Sequence, residues 1–219
     1  MMHKKGFIFD LDGVIVDTAK YHFLAWKKLA NSLNIPFTEA QNEQLKGVSR
    51  TTSLEKILEW GHKVISADQF SALMTKKNDD YLTYIERMTD KEILPDVSKI
   101  LTYLEDHHQG ISLGSASKNA RAILKKVHLF DRFHAIVDGT HVTKAKPNPE
   151  VFIKAASALN TPCKDCIVFE DSVAGIQAAN YANMISIGIG DKKILHEADY
   201  VFRDFREVST DFIQDLINN

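Results

Sequence analysis

The 219-residue chain has no long apolar run and no excess of charge of either sign. Because it contains no stretch of 18 or more apolar residues, the sequence predicts no membrane span and no membrane partner. Its 27 basic and 29 acidic residues leave a net charge of −2, so it lacks the basic surface typical of nucleic-acid binding. The N-terminal MMHKKGFIFDLDG has no apolar segment with a cleavage site, so we expect no signal peptide and a cytoplasmic location. We expect a monomer whose partner is a small solute.

Cysteine is also scarce, since Cys163 and Cys166 are the two cysteines of the chain. A C-x-x-C redox pair sits at a helix N-terminus, which lowers the thiol pKa, whereas Cys166 begins an apolar, strand-like run. A zinc site needs two further ligands, and the sequence has no second C-x-x-C and no H-x-x-x-H. We therefore interpret Cys163 as a surface residue and Cys166 as a small buried one. The histidines without metal-ligand spacing are predicted to be surface or packing residues: His107, His108, His128, His134, His141 and His196.

Short apolar runs that alternate with helical patterns predict an α/β fold with a doubly wound, Rossmann-like parallel sheet. Four runs have the continuous apolar character of buried parallel strands, at residues 6–10, 111–115, 135–138 and 166–170. Two weaker strand-like runs lie at 184–190 and 199–202, and apolar residues at helical spacing lie at 119–130, 150–160 and 172–183.

Residues 16–88 interrupt this alternation. They are helical in pattern, at 18–33, 38–48, 52–62 and 67–88, and contain no strand-like run. We therefore predict an α/β catalytic core of residues 1–15 and 89–219, with an all-α cap domain of residues 16–88 inserted after the first strand.

Polar residues follow each of the first four predicted strands, where an open parallel sheet binds its ligands. Each residue also has an ordinary structural explanation: Asp12 suits a turn, Ser117 a helix N-cap, and Lys146 a solvated loop. Such groups at four consecutive strand ends favour one shared site. The predicted set is Asp10, Asp12, Ser115, Ser117, Lys118, Asn119, Lys146, Glu170 and Asp171.

The four carboxylates of this set predict a bound divalent cation. Two carboxylates 4 Å apart repel each other by about 4 kcal/mol at an effective dielectric constant near 20. Oxygen ligands that leave room for water and a substrate phosphate suit Mg²⁺. The lysines and hydroxyls would then hold the phosphate, together with helix N–H groups that follow LGSASKN.

Four motifs occur in the order found in the haloacid dehalogenase superfamily, which the chain resembles: FDLDGVIVDT, SAS, the Lys146-Pro147 step and FEDSVAGIQAA. The second aspartate of FDLDG resembles the phosphoryl-transfer branch, and the helical insertion resembles the C1 cap of that superfamily. DTAKYHFLAWKKLA, LKGVSRTTSLEKIL, KKNDDYL and SASKN are similar to the phosphoglucomutase branch, and this similarity is weakest after about Asp191. The resemblance implies that β-glucose 1-phosphate and glucose 6-phosphate are interconverted through glucose 1,6-bisphosphate, with Mg²⁺ as cofactor.

The resemblance also implies a role for each matching position. Asp10 would be the nucleophile that becomes an aspartyl phosphate, and Asp12 the general acid and base. Asp10, the Asp12 backbone carbonyl, Glu170 and Asp171 would hold the metal. Ser115 and Lys146 would hold the transferring phosphate, and we expect a cis peptide bond at Lys146-Pro147. The remaining implied residues are Arg50, Ser117, Lys118 and Asn119 for the second phosphate, His22, Lys46, Gly47, Val48, Ser53 and Lys77 for the sugar, and Thr18 for the cap hinge. Trp26 matches as well, but its helical spacing predicts packing.

Two other functions remain compatible with these motifs. A phosphatase acting on a sugar phosphate or a phosphoglycolate-like metabolite would have the same strand ends, although Arg50 and SASKN favour a mutase. A binding protein that has kept the fold without catalysis would be expected to lack Asp10, Asp12 or Asp171, and all three are present.

Overall fold

A six-stranded parallel sheet forms the centre of the computed structural model, which describes residues 5–46 and 48–218. The strand order is β3-β2-β1-β4-β5-β6, so the chain first builds outward on one side of β1 and then on the other. This order confirms the predicted doubly wound α/β fold. The strands are β1 (Gly6–Phe9), β2 (Gly110–Gly114), β3 (Ala135–Val137), β4 (Cys166–Glu170), β5 (Ile185–Ile189) and β6 (Tyr200–Phe202).

Alternation along the central strands sends apolar side chains to both faces of the sheet. Phe7 and Phe9 of β1 pack with Phe169 on one face, where the rings of Phe9 and Phe169 lie 4.8 Å apart between centroids. Ile8 and Val168 belong to a second buried cluster on the opposite face. Because both faces of β1 and β4 are covered, the sheet positions the residues at its carboxyl ends on a rigid support.

Nine α-helices lie within the described part of the chain, and most of them follow the predicted periodicity. The helix predicted at 38–48 covers five residues, and the chain from Gln44 to Lys46 turns instead. Two helices, at 97–106 and 210–218, were not predicted. The helices are α1 (Ala19–Ser32), α2 (Glu39–Glu43), α3 (Arg50–Trp60), α4 (Ala67–Ile85), α5 (Val97–Asp106), α6 (Ala120–Lys126), α7 (Glu150–Ala158), α8 (Val173–Tyr181) and α9 (Thr210–Asn218).

Helices α1, α3 and α4 contribute to a separate apolar cluster, which includes Trp26, Leu29, Leu54 and Ile57. The chain leaves the sheet and returns to it along adjacent paths. Val16 forms an antiparallel bridge with Ile93, and the Leu94 amide donates to the Ile15 carbonyl at 3.0 Å. These features support our proposal that residues 16–88 form a cap domain inserted into the α/β core.

Candidate active site

Three carboxylates meet where β1 and β4 end at the same edge of the sheet. Asp10 directly follows β1, Glu170 ends β4 and Asp171 follows it. One carboxylate oxygen from each residue lies within 4.8 Å of the others. The sequence-based expectation that these strand ends converge is therefore confirmed for this group.

Lys146 is buried beside these carboxylates, with 4% of its surface exposed. Its Nζ lies 2.6 Å from Asp10 Oδ1 and 3.3 Å from Glu170 Oε2. Burial disfavours the ammonium form, but the two carboxylates outweigh it and raise the pKa of Lys146 above its ordinary value. The Lys146-Pro147 peptide bond is cis, which confirms that prediction.

The chemistry of the carboxylate group suits a divalent cation. Burial, opposed by Lys146, and repulsion from Asp10 and Asp171 raise the pKa of Glu170 to about 8. Burial, opposed by Lys46, and repulsion from Asp10 and Asp12 raise the pKa of Asp171 to about 7. A dication bound by these oxygens would remove that repulsion. The backbone approaches closely here, since a Cβ on Gly13, which has a φ of +82°, would lie 2.1 Å from Asp171 Oδ2. The residues present therefore fit a hard metal ion such as Mg²⁺.

Glu170 is held in place by Ser172, the N-cap residue of α8. The Ser172 hydroxyl donates to Glu170 Oε1 and accepts a 3.1 Å hydrogen bond from the Gly175 amide. A Cβ at Gly175 would lie 2.0 Å from the Glu170 carboxyl group. Sequence analysis did not assign Ser172, although its place in FEDSVAG beside the two carboxylates was a usable signal.

Asp12 has a different environment from Asp10, although two residues separate them. The Asp12 amide donates to Asp10 Oδ2 at 3.1 Å, and the Thr18 hydroxyl donates to Asp12 Oδ1. Burial and, to a smaller extent, repulsion from the Asp10 carboxylate raise the pKa of the Asp12 carboxyl group to about 6. A carboxyl group with such a pKa exchanges its proton near neutral pH, as a general acid and base must.

His22 and Lys77 of the helical segment reach towards Asp12. His22 Nε2 lies 3.8 Å from Asp12 Oδ1, and its Nδ1 lies 3.0 Å from Lys77 Nζ. Burial and the nearby charges of Lys77 and Arg50 hold the pKa of His22 well below its ordinary value, so the ring is neutral. Its Nδ1 therefore accepts from Lys77, which leaves the Nε2 proton facing Asp12.

Lys77 is almost fully buried among aromatic rings. Its Nζ lies 4.7 Å from the Trp26 ring centroid and 4.6 Å from that of Tyr81. Burial and the charge of Arg50 lower the pKa of Lys77 to about 7. Trp26 has the buried packing position that its spacing predicts, and it also lines the cavity.

The second strand end supplies hydroxyl and amide groups. Ser115 directly follows β2, and its Oγ accepts from the Ser117 amide at 3.1 Å. Asn119 occupies the N-cap position of α6 that Ser117 was considered for, and the Ser117 hydroxyl accepts from the Asn119 amide at 3.3 Å. Asn119 Nδ2 also donates to Asn78 Oδ1 of α4 at 3.1 Å, which links the core to the helical segment.

A cavity of about 550 Å³ lies between the strand ends and the helices. Lys46 contributes to it from the turn after α2, with its Nζ 3.5 Å from Asp171 Oδ2. Arg50 begins α3, and burial lowers the pKa of its guanidinium. Gly47 lies outside the described residues. The predicted residues that line the cavity are Asp10, Asp12, His22, Lys46, Val48, Arg50, Ser53, Lys77, Ser115, Ser117, Lys118, Asn119 and Asp171.

Thr18, Lys146 and Glu170 do not line this cavity. Thr18 contacts Asp12 and Lys146 contacts Asp10, and a carboxylate oxygen of Glu170 lies within 4.8 Å of those of Asp10 and Asp171. Sequence analysis missed several residues of the wall, among them Asn42, Met74 and Lys144. Their positions depend on how the helices and the loop after β3 pack, which no local motif indicates.

The remaining sequence interpretations concern residues away from this cavity. Cys166 is buried in β4, and Cys163 is half-buried; both are free thiols. Burial raises the pKa of Cys166 to about 12, so it is not a reactive thiolate. His134, predicted to be a surface or packing residue, is exposed and accepts from the Ile111 amide at 3.0 Å. No helix in the described ranges is long and apolar enough to span a membrane.

Comparison with known proteins gives consistent matches. A family model described as haloacid dehalogenase-like hydrolase matches residues 4–183. The β-phosphoglucomutase of Bacillus subtilis (strain 168) is 42% identical over 214 residues, which cover 96% of this chain and 94% of the relative. A crystal structure of β-phosphoglucomutase from Clostridium difficile matches with a TM-score of 0.95 at 39% identity, covering 99% of this chain and 98% of that one. The phosphorylated carbohydrates phosphatase of Thermotoga maritima is 27% identical over 201 residues, with 89% and 91% coverage.

Proposed function

The chain belongs to the haloacid dehalogenase-like hydrolase family, and from this we propose that it acts as a β-phosphoglucomutase, an isomerase that interconverts β-D-glucose 1-phosphate and D-glucose 6-phosphate. One observation carries the proposal: a single cavity is lined both by Asp10 and Ser115 at the strand ends and by Arg50 of α3. A hexose with a phosphate at either end needs two anion-binding regions facing one cavity, whereas hydrolysis needs one.

Asp10 is the proposed nucleophile. One of its carboxylate oxygens attacks phosphorus, the bond from phosphorus to the sugar oxygen breaks, and an aspartyl phosphate forms. Lys146, 2.6 Å from Asp10, and Ser115 hold the transferring phosphoryl group and offset its charge. Asp10, the Asp12 carbonyl, Glu170 and Asp171 would hold Mg²⁺, which when bound neutralises charge on that group.

Asp12 moves the proton in each half of the reaction. In its protonated form it donates to the sugar oxygen that leaves phosphorus, and as a carboxylate it accepts the proton of the attacking hydroxyl in the reverse direction. The Thr18 hydroxyl donates to its Oδ1, which orients the carboxyl group, and the neutral His22 ring lies beside the same oxygen, at 3.8 Å. Transfer to either hydroxyl of glucose passes through glucose 1,6-bisphosphate. This intermediate must reorient, so that its two phosphates exchange places in the cavity, before the other isomer can form.

The second phosphate is held by groups from both sides of the cavity. Arg50 presents a guanidinium whose fork matches phosphate oxygens. Ser117, Lys118 and Asn119, in the loop after β2, would hold the same phosphate. Lys46, Val48, Ser53 and Lys77 line the cavity as well and would contact the sugar. Thr18, at the start of α1, is the proposed hinge of a cap that closes over the substrate and excludes water from the phosphoenzyme.

A phosphatase on a small phosphorylated sugar is the second candidate, favoured by the similarity to the Thermotoga maritima phosphatase. A coupled assay distinguishes the two. The protein is supplied with β-glucose 1-phosphate, Mg²⁺ and a trace of glucose 1,6-bisphosphate, and both glucose 6-phosphate and free phosphate are measured. We expect glucose 6-phosphate to form much faster than free phosphate. Release of phosphate without formation of glucose 6-phosphate would favour the phosphatase.

A further inference from the structure

We propose that Glu150 is a positioning residue for phosphoryl transfer, because it fixes the loop that carries Lys146 to Asp10. Glu150 is the first residue of α7 and lies outside the cavity lining. The proposal rests on the proposed function in one respect, since it assumes that a phosphoryl group is transferred at Asp10.

The loop in question, residues 138–149 between β3 and α7, has neither helical nor strand structure. Glu150 Oε2 accepts three hydrogen bonds from it: from the Thr143 amide at 3.0 Å, the Thr143 hydroxyl at 3.0 Å and the Lys144 amide at 2.8 Å. A loop without regular structure needs such partners for its backbone groups. Three bonds to one oxygen therefore fix the backbone at 143–144.

The other carboxylate oxygen of Glu150 extends this arrangement. Oε1 lies 2.6 Å from Lys154 Nζ, one turn further along α7, and the same ammonium donates to the His141 carbonyl at 2.6 Å. The hydrogen bond from Lys154 and those from the loop lower the pKa of Glu150 to about 2, so the carboxylate is ionised at neutral pH. Two side chains of α7 thus fix the loop at three residues, 141, 143 and 144.

The fixed segment ends two residues before Lys146. Lys144 and Ala145 line the cavity, and Lys146 then turns inward to place its Nζ between Asp10 and Glu170. Because phosphoryl transfer depends on positioning, a displacement of about 1 Å can reduce the rate by about 10²-fold. The start of the loop has a separate anchor, Asp138, which accepts from Thr140 and contacts Arg121. Glu150 is the corresponding anchor on the Lys146 side.

A simpler explanation for Glu150 is a favourable charge at the N-terminus of α7, where a carboxylate stabilises a helix. The two explanations differ in what Glu150→Gln does. Glutamine loses the negative charge and the acceptor for Lys154, but its amide oxygen still accepts from the Thr143 and Lys144 groups that Oε2 binds. Alanine loses both the charge and the acceptor. A charge effect on the helix is therefore lost equally in the two variants, whereas the hydrogen bonds that fix residues 143 and 144 are lost in alanine alone.

The test compares Glu150→Ala with Glu150→Gln in the full-length protein, in Mg²⁺. Phosphoenzyme formation from acetyl phosphate is measured by rapid quench, and exchange of the Thr143 and Lys144 amides by NMR. We expect Glu150→Ala to slow phosphorylation by at least about 10-fold and to speed amide exchange at 143 and 144 by a similar factor. Glu150→Gln should stay within about 3-fold of wild type in both. As a control, Asp211→Ala removes an acidic residue from the first turn of α9 and should change neither.

Equal losses in the alanine and glutamine variants, or unchanged exchange at 143 and 144 in Glu150→Ala, would overturn the proposal. A fall in melting temperature shared by both variants would show the helix effect, and the difference between them isolates positioning. Failure of the proposed function is a separate result. If wild type does not convert β-glucose 1-phosphate, the mutase assignment fails, while the exchange comparison still decides whether Glu150 holds the loop.

Discussion

Asp10 and Asp12, which are two positions apart in the chain, have different proposed tasks, and their neighbours differ accordingly. Asp10 contacts the Lys146 ammonium at 2.6 Å, which keeps a carboxylate in place to attack phosphorus. Asp12 faces Thr18 and a neutral His22, and burial raises its pKa to about 6. A nucleophile must be ionised, whereas an acid and base must change its protonation state near neutral pH. The different neighbours of Asp10 and Asp12 therefore support the two proposed roles.

Asp10→Asn tests the nucleophile. We expect loss of nearly all turnover, because an amide oxygen is a poor nucleophile, while the isosteric side chain preserves the fold. Mutase activity and phosphoenzyme formation are measured together, and far-UV circular dichroism serves as the control for folding. Normal turnover in this variant would exclude a covalent mechanism at Asp10.

Asp12→Ala tests the proton transfer. Turnover should fall by at least about 10²-fold, the low end of general acid–base contributions. Mg²⁺ binding, followed by calorimetry, should be retained, because the proposed metal ligand at this position is the backbone carbonyl. Activity within a few-fold of wild type would mean that another residue supplies the proton.

At the scale of the elements, much of the fold could be predicted from the sequence. The strands β1, β2 and β4 were predictable because both of their faces are buried, which leaves continuous apolar runs. Helix α5 was not predicted, although Val97, Ile100, Leu101 and Leu104 have helical spacing; its N-cap residue Asp96 has a left-handed backbone with a φ of 62° and makes no capping hydrogen bond, which the sequence does not indicate. Helix α2 is shorter than predicted because the chain turns after Glu43 towards the cavity.

The acidic site was predictable for the same reason, since Asp10, Glu170 and Asp171 lie at the carboxyl ends of buried strands that must meet. Contacts across the cavity were not. His22 and Lys77 are 55 residues apart, and Asn78 and Asn119 are 41 apart. Such pairs depend on how the helical segment packs on the sheet, and the periodicity of the sequence does not predict that packing.

The strand-end carboxylates give the third prediction, which concerns pH and metal. The pKa values of Asp12, Asp171 and Glu170 are raised to about 6, 7 and 8 in the folded protein. A raised pKa adds stability below the ordinary carboxyl pKa near 4, and this is lost as pH rises through the folded value. The metal-free protein should therefore lose stability between pH 5 and pH 8.

Mg²⁺ should restore that stability. The gain should be larger at pH 8, because the carboxyl groups are ionised there in the absence of metal and the cation offsets their repulsion. We expect the rise in melting temperature on replacing EDTA by Mg²⁺ to be larger at pH 8 than at pH 5 by at least about 4 °C, because 1 kcal/mol shifts the melting temperature of a chain this size by about 2–4 °C. Differential scanning fluorimetry checks this, with Asp171→Asn as the variant that should lose most of the difference. An equal rise at both pH values would count against a metal bound by these carboxylates.

At the scale of the whole molecule, the site exists because two separate parts of the chain face each other. The sheet supplies Asp10, Lys146 and Ser115, and the helices supply His22, Lys77 and Arg50 around one cavity. The parts are joined by the paired segments near Val16 and Ile93 and by the hydrogen bond from Asn119 to Asn78. A bound phosphate gripped from both sides would add to these contacts and favour closure.

Arg50→Ala tests this division between the two sides. On the proposed function, Arg50 grips the phosphate that is not being transferred and so turns the free hydroxyl of glucose towards the aspartyl phosphate. Loss of a charge-assisted contact costs about 1.5–3 kcal/mol, and each 1.36 kcal/mol is tenfold in rate. Mutase activity should therefore fall by roughly 10- to 150-fold. Phosphoenzyme formation from acetyl phosphate, which has no distal phosphate, should change by less than about 3-fold.

Arg87→Ala, which removes an exposed arginine after α4, is the matched control and should change neither rate. Equal loss of both reactions in Arg50→Ala would mean that Arg50 supports the first phosphate site or the packing of the helices, and the argument for two phosphate sites would then lose its main support.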